Sequence, residues 1–154
     1  MSVYYKTGDL LKSDCTYLCH QVNCQARMGS GIAKSIKERW SAVYDMYMQV
    51  AAPNMLGHIQ TVFVQGDNIS VQGIINMFGQ EYYGYDGKRY TSYDAFWSCL
   101  GEIKDKVKKG SKIGFPAKIG CGLGGANWEV IKTMIEQALG ADYEVYIYTL
   151  EVEL

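Results

Sequence analysis

The stretch "KIGFPAKIGCGLGGANWEVIK", residues 112–132, contains the pattern that decides the fold. A short apolar run typical of a buried strand leads into a helical pattern through four glycines within six positions: Gly120, Gly122, Gly124 and Gly125. Glycine weakens strands and helices alike, so its repetition at the start of a helix indicates a backbone requirement. A strand, a glycine loop and a helix in this order form one unit of an α/β fold.

The remaining chain continues this alternation of strands and helices. Segments rich in Val, Ile, Tyr and Cys predict six strands, at 3–6, 17–22, 59–64, 73–77, 112–115 and 144–150. Apolar residues spaced three and four apart predict helices between them, at 30–51 (one helix or two short ones), at 91–109 with Thr91 or Ser92 as N-cap, and at 128–139 closing at Gly140. We therefore expect a three-layer α/β/α sandwich with a mixed, mostly parallel sheet, as a single domain over 1–154.

The composition limits the classes of function. The net charge of −1 argues against a general nucleic-acid binder or an anionic-membrane binder, because both depend on a basic surface excess. The five cysteines show neither CxxC spacing nor a matching His pair, so we expect reduced, mostly buried thiols and no metal site. No membrane span or leader pattern is present, and we expect a cytoplasmic monomer that needs no cofactor.

Two glycine loops are predicted at the same edge of the sheet, beyond the carboxyl ends of the strands, where ligands bind in such folds. The first is "MGSGIA", residues 28–33, which opens a helix, and the second is the glycine run at 120–125. A helix N-terminus offers free N–H groups and a partial positive charge, and glycine permits close approach of the backbone. The pair predicts a diphosphate site, and the absence of GxxxxGK[ST] disfavours nucleoside triphosphate hydrolysis.

Three motifs, taken in order, resemble the ligand loops of macrodomains, which bind ADP-ribose. They are "TGDLLKS" at 7–13, "VNCQARMGSGIAKSIKERW" at 22–40 and "KIGCGLGGANW" at 118–128. The likeness is greatest to the branch that contains the terminal ADP-ribose protein hydrolases and the DNA ADP-ribosyl glycohydrolase antitoxins. It extends over nearly the whole chain, so the resemblance implies the macrodomain fold and ADP-ribose or an ADP-ribosylated substrate as partner.

The resemblance also implies roles for individual residues. Asp9 matches the acid that accepts a hydrogen bond from the adenine amino group, although a turn or cap role is the alternative. Asn23 matches the asparagine that orients the distal ribose, with a buried, turn-capping asparagine as the alternative. The remaining implied ligand-binding positions are Leu10, Met28, Gly29, Ser30, Gly31, Ile32, Gly120, Cys121, Gly122, Leu123, Gly124 and Asn127, the last of which could instead cap the following helix.

The chain departs from this branch at its two catalytic positions. Gln80 stands where the glycohydrolases carry a lysine, and an amide side chain can neither form a Schiff base nor carry a charge. Gly124 stands where the protein hydrolases carry an acid. Three further groups offer acid–base or phosphate-binding chemistry, namely His20 near the Asn23 loop, Asp86 as a candidate base, and Lys88 or Arg89 as a candidate phosphate ligand.

Two functions follow from the resemblance, and both stay open at this point. The first is hydrolysis at the distal ribose, of a 1″-phosphate or of an ADP-ribosyl bond, with Asn23 and Gln80 as the catalytic candidates. The alternative is a non-catalytic module that retains ADP-ribose, which the missing lysine and acid favour.

Overall fold

The strands form a single sheet at the centre of the molecule. The computed structural model describes residues 2–29, 31–66 and 70–150. In chain order the six strands are β1 (Ser2–Thr7), β2 (Tyr17–Asn23), β3 (Ile59–Phe63), β4 (Gly73–Gln80), β5 (Lys112–Pro116) and β6 (Glu144–Thr149). All six lie where the sequence predicts a strand, and β4 continues three residues beyond the predicted 73–77, which places Gln80 at its carboxyl end.

The strand order explains how one edge of the sheet collects the ligand loops. The strands lie in the order β1-β6-β5-β2-β4-β3, and every pair is parallel except β3 with β4, which is antiparallel. The carboxyl ends of the five parallel strands therefore meet at one edge. A register shift between Val22 and Asn23 interrupts the regular pairing of β2 with β4 at this edge. The expected mixed, mostly parallel sheet is confirmed.

Four helices connect the strands. They are α1 (Gly31–Arg39), α2 (Ser41–Val50), α3 (Tyr93–Lys106) and α4 (Trp128–Leu139), with 3₁₀ turns at Leu10–Lys12 and Pro53–Met55. The predicted helix at 30–51 divides at Trp40, whose φ of −133° and ψ of 82° interrupt the helical backbone. Ser92 is the N-cap of α3, and its side chain accepts a hydrogen bond from the Ala95 N–H. Gly140 caps α4 as expected, although in the right-handed conformation.

The helices cover both faces of the sheet and produce two apolar cores. Helices α3 and α4 pack on one face against the side chains of Cys19, Ile75 and Phe115, among others. Helices α1 and α2 cover the opposite face, where Leu18, Ile74 and Phe78 point. Alternate residues of β2 and β4 thus enter opposite cores, so both strands are buried on both faces and are held rigidly.

Among the residues described, no helix is both long enough and apolar enough to cross a membrane.

Candidate functional site

A long cleft follows the carboxyl edge of the sheet. It consists of three connected chambers, which we call proximal, middle and distal, with volumes of about 550, 440 and 530 Å³. Gly31, Ile32 and Lys118 line both the proximal and the middle chamber, and Gln21, Gln80 and Leu123 line both the middle and the distal chamber. These shared walls make the three chambers one continuous, elongated site.

The proximal chamber lies between the ends of β1 and β6. Asp9 lines it and also caps the turn at Leu10–Lys12, because one carboxylate oxygen accepts a hydrogen bond of 2.9 Å from the Leu11 N–H. The second carboxylate oxygen has no such role, so capping and ligand contact are compatible at Asp9. Leu10, Trp128 and Tyr148 supply apolar walls. The chamber therefore offers a largely apolar space with the Asp9 carboxylate among its polar groups.

The first glycine loop forms one wall of the cleft. Met28 is buried and anchors the loop in the core beneath α1, while Gly29 and Gly31 face open space, with no atom within 4 Å of an added Cβ. Gly31 has a φ of +60°, a conformation that favours glycine. Ile32 lines the cleft beside it, and the expected ligand residue Ser30 lies outside the described residues. The N–H groups of the first turn of α1 lack acceptors within the helix.

The second glycine loop forms the opposite wall and is packed tightly against the rest of the protein. An added Cβ on Gly124 would lie 2.5 Å from the Gly120 carbonyl oxygen and 2.6 Å from Thr91 Oγ1. At Gly125, whose φ is +72°, it would lie 2.7 Å from the carbonyl oxygen of Lys88. The position at which the resemblance implies an acid, Gly124, therefore has no space for a side chain.

Part of this second loop still faces the cleft. Gly120, Gly122, Leu123 and Gly124 line the middle chamber. Among the described residues, none accepts a hydrogen bond from the N–H groups of Gly122, Leu123 or Gly124. Gly122 has no atom within 4 Å of an added Cβ. The wall thus presents neutral backbone donors to the space opposite α1, an arrangement that suits an anion.

Two of the expected ligand residues lie away from the cleft. The Cys121 N–H donates to the Lys118 carbonyl, and its thiol packs toward the core under α3 and α4, where burial raises its pKa. Asn127 is the N-cap of α4, and its side-chain oxygen accepts a hydrogen bond of 2.9 Å from the Glu129 N–H. Neither residue lines a chamber, and Asn127 has the capping role that was its alternative.

Asn23 lines the distal chamber, but most of its hydrogen-bonding capacity is used internally. Its side-chain oxygen accepts from the Gln25 N–H at 2.9 Å and from the Tyr47 hydroxyl at 2.9 Å, and its Nδ2 donates to the Arg27 carbonyl at 2.9 Å. The side chain thereby shapes the turn that leads into the first glycine loop. One N–H of the amide remains for a ligand, so Asn23 combines the turn-capping role with a position in the chamber.

Gln80 lies on the floor of the cleft, between the middle and distal chambers. Its Oε1 accepts a hydrogen bond of 2.7 Å from Gln21 Nε2, and its Nε2 donates to the Tyr82 carbonyl at 2.8 Å. Gln21 Nε2 also donates to Thr91 Oγ1 at 2.8 Å. The sequence reasoning missed Gln21, although a polar residue inside the apolar strand "YLCHQVN" was a usable signal.

The distal chamber has cationic and aromatic walls. Arg27 and Lys37 line it together with Tyr44, Tyr83 and Tyr85, and the Lys37 ammonium lies 3.9 Å from the centre of the Tyr44 ring. Within the described part of the chain, no carboxylate, imidazole or thiol lines this chamber. The titratable side chains on its described walls are therefore Arg27, Lys37 and three tyrosines.

The other candidate groups lie outside the chambers. His20 is fully buried in the core, where its Nε2 contacts Asn76 Oδ1 at 2.5 Å and burial lowers its pKa to about 4. Asp86 accepts hydrogen bonds of 2.9 and 3.0 Å from the Tyr90 hydroxyl, and Arg89 stacks on Tyr93 at 4.4 Å. Neither these residues nor Lys88 line the cleft.

Lys118 is a further residue that the sequence reasoning missed. It lines the proximal and middle chambers, and its φ of +60° is uncommon for a residue with a side chain. Its side chain is exposed and adds a positive charge to these walls. The described residues contain no group of three or more His, Cys, Asp or Glu side chains that could hold a metal ion.

The macrodomain model, described as "Macro domain", matches residues 19–141, and the chain belongs to this family. The match includes both glycine loops and the strands between them.

Curated and solved relatives agree with this assignment. The chain is 28% identical over 155 residues to the human ADP-ribose glycohydrolase OARD1, covering 96% of this chain and 91% of the relative. The macrodomain of Mycobacterium tuberculosis DarG shares the fold, with a TM-score of 0.74, 24% identity and coverage of 95% and 96%. Thermosipho africanus DarTG, solved in complex with ADP-ribose, gives a TM-score of 0.74 at 21% identity, over 95% of this chain and 41% of that one.

Proposed function

We propose that this macrodomain binds ADP-ribose and retains it without cleaving it. The observation that carries the proposal is the continuous three-chamber cleft, whose middle section lies between two glycine walls. Adenine would lie in the proximal chamber with its amino group on Asp9. The diphosphate would lie between Gly31 and Gly122, and the distal ribose beside Asn23 and Gln80.

Backbone groups account for the affinity of a nearly neutral protein for a dianion. The N-terminus of α1 carries a partial positive charge, and the second glycine loop adds the N–H groups of Gly122, Leu123 and Gly124. Lys118 adds a full charge at the rim. Because these donors are fixed by the fold, little ordering is needed when the diphosphate enters.

The two positions at which the resemblance implies catalytic groups support retention rather than turnover. Gln80 occupies the expected lysine position with both ends of its amide engaged, and Gly124 has no space for a side chain. The relative OARD1 is named a glycohydrolase, but this chain lacks the lysine and the acid that the resemblance implies for such chemistry.

Isothermal titration calorimetry of the full chain against ADP-ribose, ADP, AMP and NAD tests this proposal. We expect ADP-ribose to bind more tightly than ADP or AMP, because ADP and AMP lack the distal ribose that would fill the third chamber. We also expect ADP-ribose to be recovered intact after prolonged incubation. Absence of ADP-ribose binding would remove the proposed function. Release of free ADP-ribose from ADP-ribosylated protein or DNA would contradict the non-catalytic assignment.

Hydrolysis of a phosphorylated ADP-ribose is the second candidate. Arg27 and Lys37 favour it, because two cations in the distal chamber suit a phosphate on the distal ribose. The remaining amide N–H of Asn23 would position a water molecule. Incubation with ADP-ribose-1″-phosphate, followed by an assay for inorganic phosphate, separates the two candidates. Hydrolysis is supported if the wild-type protein releases phosphate and the Arg27→Ala variant does not. Retention is supported if the ligand binds tightly and no phosphate is released.

We also propose that the chain acts as one macrodomain over 1–154, as a cytoplasmic monomer without general affinity for nucleic acid. The net charge of −1 and the five free cysteines support this. Light scattering after gel filtration measures the mass in solution, and a mass of two chains would contradict the monomer.

A further inference from the structure

A directional network of hydrogen bonds lies beneath the junction of the middle and distal chambers. Its central residue is Gln21, whose Nε2 donates both to Gln80 Oε1 at 2.7 Å and to Thr91 Oγ1 at 2.8 Å. The Thr91 hydroxyl donates in turn to the Gly120 carbonyl at 2.8 Å. The Gln21 side chain, at the end of β2, therefore contacts Gln80 at the end of β4 and Thr91 in the segment before α3. Thr91 extends the network to the second glycine loop.

Two backbone carbonyls fix the direction of every bond in this network. The Tyr82 carbonyl can only accept, so Gln80 must turn its Nε2 toward it and its Oε1 toward Gln21. The Gly120 carbonyl likewise requires the hydroxyl proton of Thr91, which leaves the Thr91 oxygen to accept from Gln21. Gln21 must then present Nε2 to both partners, and the second N–H of Gln80 remains available beside the cleft.

The arrangement leaves one buried polar atom without a partner. Gln21 Oε1 is shielded from solvent and accepts no hydrogen bond within the described chain. It lies in the space that a Cβ on Gly79 would occupy, and 3.1 Å from an added Cβ on Gly120. An unsatisfied buried acceptor lowers stability. The amide at position 21 is therefore only half satisfied, and the half that is satisfied is the one that holds Gln80 Oε1 and Thr91 Oγ1.

We propose that Gln21 is a positioning residue that, together with the Tyr82 carbonyl, holds the Gln80 amide so that an N–H donor, not a carbonyl oxygen, faces the distal ribose. The inference rests on the proposed binding of ADP-ribose. In this arrangement a neutral donor occupies the position at which lysine is expected, and it selects a ligand with a distal ribose over ADP, which ends at the diphosphate. The proximal chamber, which neither Gln21 nor Gln80 lines, is unaffected.

The test compares two matched substitutions, Gln21→Met and Gln60→Met. Gln60 is also a glutamine that links segments, since its Oε1 accepts from Asn76 Nδ2 at 3.0 Å and its Nε2 donates to the Met46 carbonyl at 3.0 Å, but it lines no chamber of the cleft. For each variant, calorimetry gives the ratio of the ADP-ribose and ADP affinities, and thermal unfolding gives Tm.

We expect Gln21→Met to lower the ADP-ribose to ADP affinity ratio about tenfold, while ADP affinity stays within about twofold and Tm changes by no more than about 3 °C. Gln60→Met should lower Tm further, because it leaves the buried Asn76 amide unpaired, while the affinity ratio stays at the wild-type value. A merely structural role for Gln21 would move Tm and leave the ratio unchanged, and that result overturns the proposal.

Gln21→Glu provides a second arm that does not depend on packing. A carboxylate only accepts, so Gln80 would have to turn its Nε2 toward position 21 and release the Tyr82 carbonyl. We expect a larger loss of the affinity ratio than in Gln21→Met. If the wild-type protein binds ADP-ribose and the affinity ratio is unchanged in both variants, the role of Gln21 is contradicted. If the wild-type protein does not bind ADP-ribose, the proposed function itself is contradicted.

Discussion

The two glycine loops that face each other across the cleft use the same residue type for different reasons. In the first loop, Gly29 and Gly31 have no atom within 4 Å of an added Cβ. In the second, Gly124 and Gly125 would place a Cβ within 2.5–2.7 Å of backbone oxygens. One loop is open toward the ligand space, and the other is closed against its own protein. Glycine spacing alone therefore does not show which positions serve a ligand.

The contrast predicts its largest effect for Gly124→Asp, which introduces the acid expected in hydrolytic relatives. The new side chain would collide with the Gly120 carbonyl and the Thr91 hydroxyl, and we expect a loss of about 3 kcal/mol in the free energy of unfolding. Urea denaturation measures this loss. Gly124→Ala is the matched control and should lose a comparable amount, because the collision begins at Cβ. Full stability together with gain of hydrolysis would show that the loop opens freely.

Acidic conditions should lower the stability of all loop variants by the same amount, so that the variants with the lowest stability unfold first. Burial lowers the pKa of His20 to about 4 in the folded state, whereas the exposed side chain has a pKa of 6.5. Between pH 6.5 and pH 4, His20 is therefore protonated in the unfolded state and not in the folded state. Stability from this group is complete above pH 6.5 and is lost as pH falls toward 4, by about 2 kcal/mol between pH 7 and pH 5.

Urea denaturation at pH 7, 6 and 5 measures this loss. Variants of the closed loop, such as Gly124→Ala, should be largely unfolded at pH 5, whereas Gly29→Ala should stay folded. A wild-type stability that does not change between pH 7 and pH 5 would show that His20 is protonated without cost.

In the open loop, Gly29→Ala should affect binding instead of stability. The added methyl group points into the ligand space and meets no protein atom, so we expect the free energy of unfolding to change by less than about 0.5 kcal/mol. ADP-ribose affinity should fall about tenfold, equivalent to about 1.4 kcal/mol, because the methyl group narrows the distal chamber, which Gly29 lines. Calorimetry and denaturation of the same preparation separate the two quantities. An unchanged affinity would place the ligand elsewhere.

Gly122→Ala sharpens the comparison, because this residue belongs to the closed loop but faces open space. We expect it to behave like a residue of the open loop, with wild-type stability and an ADP-ribose affinity lowered about threefold, or about 0.7 kcal/mol. If Gly122→Ala instead unfolds the protein as Gly124→Ala does, the distinction lies between the loops as wholes and not between individual positions.

Much of this architecture follows from local patterns. All six strands and the three helical regions were predictable, because apolar periodicity and turn residues act over short distances. The resemblance also identified Asp9, Gly29, Gly31 and Gln80 as residues that do line the cleft. Cys121 and Asn127 were also expected to line the cleft, because they belong to the same motif as the ligand residues. In the structure, Cys121 packs into the core and Asn127 caps α4.

The residues that the sequence reasoning missed depend on contacts between distant segments. Gln21 meets Gln80 and Thr91 from 59 and 70 positions away, and no local pattern encodes such a meeting. Arg27 and Lys37 come together with Tyr83 only because the first loop and the segment after β4 close around the same space.

The sequence by itself determined the alternation of strands and helices, the position of both glycine loops and the loss of the lysine and acid at Gln80 and Gly124. Only the tertiary structure decided which glycines are open and which are closed, and that Gly124 leaves no room for a side chain. The physical reason is range: periodicity and turn chemistry act within a few residues, whereas steric contact depends on which distant segments the sheet brings together.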